Sequence, residues 1–172
     1  MSKDRKTKFR INTFSSRKRS YKDGAKKVYK DMKDRCYDQF LEAKKNGRKF
    51  SFTTDKLEHY RKGFKKYFLN VATLTHGVPI KCQRHGLKRN NNCIERDHQY
   101  SRKLEKLCRG HKDFFGVSAV FDVGDAYYNY IDRQQLPFEK KPRTPAERAS
   151  LDIRIGERFQ LLNLIKMSYP ED

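Results

Sequence analysis

Two acidic residues and the polar groups around them carry most of the chemistry this sequence offers. Asp55 closes the run Phe50-Ser51-Phe52-Thr53-Thr54, and Glu95 sits inside Asn91-Asn92-Cys93-Ile94-Glu95-Arg96-Asp97-His98-Gln99-Tyr100-Ser101-Arg102. Asn residues ahead of an apolar residue make a good helix start, because their side chains accept from the free N–H groups of the first turn. Within that helix Ile94, Ser101, Leu104 and Cys108 share one face, with Leu107 beside them, while Glu95, Gln99 and Arg102 share another. A carboxylate near the positively polarised helix start, with a guanidinium two turns along, is on spacing alone a solvated face whose charges are set to pair. Asp55 taken alone reads as a helix N-cap. His98 serves equally as a group orienting its neighbours or as a buried or capping histidine. A second constellation, Cys82-x-x-His85 followed by Cys93-x-x-x-x-His98, is loosely zinc-like in spacing, but the paired CxxC of structural zinc sites is absent.

The elements that must position these residues follow from periodicity. Phe9, Ile11 and Thr13 alternate with Lys8, Arg10 and Asn12, which predicts a half-buried strand over 8–14, after a basic stretch over 1–8 that frays. Tyr21, Ala25, Val28, Met32, Cys36, Phe40 and Ala43 recur at three or four residues and predict a long helix that ends at Asn46-Gly47. Phe50 to Thr54 alternates as a short strand. Leu57, Tyr60, Phe64, Tyr67 and Phe68 form a helical stripe, and the β-branched run over 71–75 reads as a further strand, broken by His76-Gly77-Val78-Pro79. Residues 80–89 read as a basic loop, 116–132 as a helix and 136–145 as a linker rich in Pro and Lys. Thr144-Pro145-Ala146-Glu147 starts a short helix well, and 155–167 is a final amphipathic segment. The alternation of strands and helices predicts an α/β fold.

Charge narrows the partners. Lys and Arg number 41 against 21 Asp and Glu, a formal net charge of +20 over 172 residues. An excess of that size spread along the chain implies a polyanion, with nucleic acid ahead of a membrane surface, and binding through phosphates that weakens steeply with salt. No apolar run reaches the roughly 20 residues that span a bilayer, and none follows Met1-Ser2-Lys3-Asp4-Arg5 to act as a signal peptide. The expectation is an intracellular protein with its four cysteines reduced.

Asn91-Asn92-x-Ile94-Glu95-x-Asp97-His98, followed by basic residues and by Arg109-Gly110-His111-Lys112-Asp113-Phe114, resembles the last catalytic block of DDE transposases from bacterial and archaeal insertion sequences. Thr53-Thr54-Asp55-Lys56-Leu57-x-x-Tyr60 resembles the second block of the same family, and the likeness runs from about Asp4 to Ile165. The resemblance implies a ribonuclease-H-like fold in which Asp55 and Glu95 are acidic metal ligands. It implies that Arg102, with Lys103 and Arg96 beside it, contacts DNA near a transposon end. In that chemistry two divalent ions held by shared carboxylates clamp the scissile phosphate, and hard oxygen ligands select Mg2+ or Mn2+.

The sequence also departs from the family. Three acids are needed, and the first belongs to a central strand for which nothing before Met1 provides. Asp4 is misplaced for that role, and Asp23, Asp31, Asp34 and Asp38 fall on the long helix. The spacing from Asp55 to Glu95 is also somewhat long. The expectation is therefore an incomplete ribonuclease-H-like fold, a mixed sheet with flanking helices. Residues 1–134 form a partial catalytic domain, and 135–172 form a linker with a C-terminal helical extension. Such a fragment binds DNA, is associated with the nucleoid in the cytoplasm, and is inactive alone. It is marginally stable, or has its sheet rearranged or completed by a partner, either a full-length transposase or further copies of the chain. A basic structural RNA- or DNA-binding protein without catalysis is the alternative, its Tyr and Phe residues among Lys and Arg serving for stacking.

Overall fold

The computed structural model describes residues 1–14, 16, 20–55, 57–82, 86–90, 98–99, 102–103, 105–106 and 113–168. The chain is mixed α/β, and its packing separates into two compact units. One comprises Met1 with Phe14–His111, the other Ser2–Thr13 with Lys112–Asp172.

The first unit begins with a single π-helical turn, Tyr21–Ala25, where the Ser20 hydroxyl accepts from the Asp23 N–H at 3.0 Å. That cap supplies an acceptor to one of the otherwise unpaired N–H groups of the first turn. The turn runs directly into α1 (Lys26–Lys45), which stops at Asn46, with Gly47 at φ +69, a left-handed conformation that suits glycine. Ala25, Tyr29, Met32 and Phe40 are buried along one stripe of this helical stretch. β3 (Phe50–Thr54), α2 (Glu58–Tyr67) and β4 (Ala72–His76) follow as one β–α–β unit, with β3 and β4 parallel and in register from Phe50↔Ala72 to Thr54↔His76. Each of these elements lies within a few residues of its sequence-predicted place.

Their core is aromatic. Phe52 projects from β3 between the helices, its ring 5.6 Å from Phe40, 5.6 Å from Phe64 and 4.9 Å from Phe68. Phe68 is 1% exposed, and Tyr29 reaches the same cluster from α1. Aromatic rings bring more buried area per residue than aliphatic side chains, and the tilted pairings add to it. Gly63 lets the helices meet. A Cβ there would fall against the Tyr29 ring, within 2.9 Å of Cε2 and closer still to Cδ2.

The basic loop expected over residues 80–89 is instead an antiparallel hairpin. β5 (Val78–Cys82) pairs with β6 (Gly86–Asn90) in register from Val78↔Asn90 to Cys82↔Gly86. A two-stranded ribbon leaves each strand an outer edge, so Pro79 need not break the ladder there.

The second unit holds the expected strand over 8–14 in shorter form. β2 (Arg10–Asn12) pairs antiparallel with β1 (Ser2–Lys3). The N-terminal stretch is thus not the frayed segment its composition suggested. The Asp4 carboxylate accepts from the Thr7 N–H at 2.7 Å, and the Asp4 N–H donates to the Phe9 carbonyl at 2.8 Å, which closes the turn between the strands. This hairpin packs on α3 (Phe114–Tyr130), a helix capped by the Asp113 carboxylate, which accepts from the Gly116 N–H at 2.7 Å. The Asn129 amide reads the Arg10 backbone at both ends, accepting from its N–H and donating to its carbonyl, each at 2.9 Å. The Arg10 side chain, 3% exposed, lies over the Tyr128 ring and pairs with Asp125 at 3.0 Å.

The expected linker over 136–145 is a closed turn rather than a spacer. Gln134 and Arg143 exchange backbone hydrogen bonds across it, both 3.0 Å. α4 (Pro145–Arg148) then starts with a full capping box between Thr144 and Glu147 and with Pro at the start of the helix, as its sequence predicts, and it packs on α3. α5 (Gln160–Ser168) completes the unit and has no buried residue. The single mixed sheet expected from the sequence is not what the described strands make. They form three two-stranded sheets, one parallel and two antiparallel, and β2 pairs with β1 rather than with β3.

Candidate nucleic-acid site at the end of β3

Asp55 directly follows β3, at the carboxyl end of the parallel pair. Open α/β sheets take their ligands at that end of the strands. Its carboxylate Oδ1 accepts from the Leu57 N–H at 3.1 Å, closing an Asx turn just ahead of α2. The capping role read from the sequence is thus partly filled, although the residue in the N-cap position is Leu57, whose side chain makes no cap hydrogen bond. Asp55 is exposed.

His76 is its neighbour. The register Thr54↔His76 brings the imidazole to the same strand end, with Nδ1 3.0 Å from the Asp55 carbonyl and 3.4 Å from the Thr54 hydroxyl. The buried Tyr29 is close enough to feel the Asp55 charge. Burial pushes its phenol well above the ordinary value of 10, and the nearby Tyr60 and Asp55 add to the shift by making an anion there less favourable.

Among the other residues singled out by sequence, Glu95 and Arg96 lie outside the described residues, as do His85 and Cys93 of the zinc-like spacing. Arg102 and Lys103 are helical and exposed, within the stretch expected to form the Glu95 helix, and His98 is likewise helical and exposed. The fit of a divalent metal rests on the donors present. Among the described residues no three His, Cys, Asp or Glu side chains come together, and one of the two Asp55 oxygens already serves the Leu57 N–H. The described donors alone therefore do not make up a divalent-metal site.

Sequence reasoning missed His76 at this site and read it only as part of the break after β4. The expected strand over 71–75 stops one residue short of it, and the parallel register that sets Thr54 beside His76 has no local signal.

No protein-family model, curated protein or solved structure matches the chain. Among the described residues no helix is long and apolar enough to cross a membrane.

Proposed function

We propose that this chain is a DNA-binding fragment of a DDE-type transposase catalytic domain, with a partial ribonuclease-H-like fold, that does not cut DNA alone. The observation that carries the reading is the position of Asp55. It stands at the carboxyl end of a strand in a parallel β–α–β unit, which supports the likeness to a family whose second acid ends a core strand. The net charge of +20 supports a polyanionic partner. Asp55 and Glu95 are the retained acidic positions, and Mg2+ or Mn2+ is the metal they would share once a third carboxylate completes the set. Arg102 and Lys103, exposed on their helix, bind backbone phosphates, with Arg96 beside them in sequence.

The test is a titration of fluorescent duplex DNA against salt. The logarithm of affinity should fall linearly with the logarithm of salt, and Arg102→Ala and Lys103→Ala should each flatten the slope by about one and weaken binding on all sequences alike. An unchanged slope in both variants would remove this helix from the interface.

A second reading, a structural nucleic-acid-binding protein without catalytic ancestry, is favoured by the Tyr and Phe residues that lie among Lys and Arg. It predicts that Glu95→Ala leaves Mn2+ binding, measured by calorimetry, unchanged. Loss of Mn2+ binding in that variant favours the transposase reading.

A further inference from the structure

Among the described residues the outer edge of β3 carries no strand, and its sequence is self-complementary. The Gly77 N–H donates to the Thr54 carbonyl at 2.9 Å, and the Thr73 and Thr75 hydroxyls reach the Phe50 and Phe52 carbonyls at 3.3 and 3.1 Å. In a parallel ladder the N–H and C=O of one residue point to the same side. Phe50, Phe52 and Thr54 therefore spend their backbone groups on β4, while Ser51 and Thr53 direct theirs away from it. β3 has no second strand neighbour among the described residues, Ser51 is exposed, and Phe50 is 49% exposed. Two-stranded sheets are marginal alone, and an unpaired edge is a template for another strand.

We propose that β3 pairs antiparallel with β3 of a second copy of this chain about a two-fold axis through Phe52, making a continuous four-stranded sheet β4–β3–β3–β4. The register follows from chemistry. With Phe52 opposite Phe52, Ser51 faces Thr53 and Thr53 faces Ser51. These are the two residues with outward backbone groups, so each pair exchanges two hydrogen bonds and the interface gains four. In the same register the exposed Lys49 that precedes β3 in each copy comes near the exposed Asp55 that follows β3 in the other, so the charges at the two ends are complementary. The Phe50 and Phe52 side of the sheet, which carries the aromatic core, continues across the axis, and each half-exposed Phe50 lies diagonal to the other copy's Phe52. The contact is isologous and closes at two copies. It is independent of the function proposed above.

The test is sedimentation equilibrium on nuclease-treated protein at about 0.3 M salt, where repulsion between two strongly basic chains is screened, paired with residue-resolved amide hydrogen exchange at low and high concentration. The expected result is a monomer–dimer equilibrium in which the Ser51 and Thr53 amides slow as concentration rises, whereas the Phe52 amide, already in the ladder to β4, does not. Ser51→Pro removes only an outward N–H and should raise the dimer Kd by about tenfold or more, since that bond is lost in both copies. Lys49→Asp should also weaken the dimer, and Lys49→Asp with Asp55→Lys should restore it. If Ser51→Pro fails to fold, the exchange measurement on the unmodified chain decides. A monomer at every concentration overturns the proposal. So does a dimer in which Ser51 and Thr53 stay open, or one whose protection falls on Leu74 and His76 at the outer edge of β4.

Discussion

Gly63 and Tyr29 show how much one missing side chain decides. At the α1–α2 crossing the buried Tyr29 ring occupies the space that any Cβ at position 63 would need. Alanine is the better helix former by about 1 kcal/mol, but overpacking a close contact against a buried ring costs about 1–3 kcal/mol. Gly63→Ala should therefore destabilise the chain in urea denaturation, and a rise in stability would mean that the ring moves aside freely. The same scale governs the second unit. Asn129 satisfies both backbone groups of Arg10 although the two residues are 119 positions apart, and no local pattern announces such a partner. Asp55 is the opposite case. Its strand, the Thr-Thr ahead of it and the stripe after it were all legible, so its place at a strand end was readable from sequence. His76 was not, because a parallel register is a tertiary fact that periodicity does not encode.

At the scale of elements, the turn between α3 and α4 is held by charge as well as by its backbone ladder. Arg148, with its side chain 4% exposed, donates from Nε to one Glu139 oxygen at 2.7 Å and from Nη2 to the other at 2.8 Å, and also donates to the Gln134 carbonyl. The hydrogen bonds from Arg148 hold the Glu139 carboxyl well below its ordinary 4.5, at about 2, with the Leu136 N–H assisting. A carboxyl whose folded pKa is depressed contributes stability above its free value of 4.5, and that contribution is lost as pH falls through about 2. Glu139→Gln should therefore lower the melting temperature at neutral pH, and its deficit against the unmodified chain should shrink across that acid window. An equal deficit at both ends of the window would mean that the carboxylate charge contributes nothing. The helices and the two strands of the β–α–β unit were readable because their local period is clear and Asn46-Gly47 marks the end of α1. The hairpin of β1 and β2 was not, because Ser2–Lys3 is too short to show alternation and depends on the Asp4 turn and on α3 for its place.

For the whole molecule, charge and strand pairing pull in different directions. A net charge of +20 favours a polyanionic partner and opposes association between copies, while three two-stranded sheets leave strand edges unpaired among the described residues. DNA would relieve the first by neutralising lysines and arginines, and strand addition would relieve the second. On the proposed function the chain binds DNA and does not cut it alone. The most direct measurement incubates supercoiled plasmid with the purified chain and Mn2+, then reads both mobility shift and nicking. The predicted result is a shift that is lost at high salt, with the recovered plasmid still supercoiled. Nicking that disappears in Asp55→Ala or Glu95→Ala would show a complete active site and contradict the account, and so would the absence of any shift at low salt.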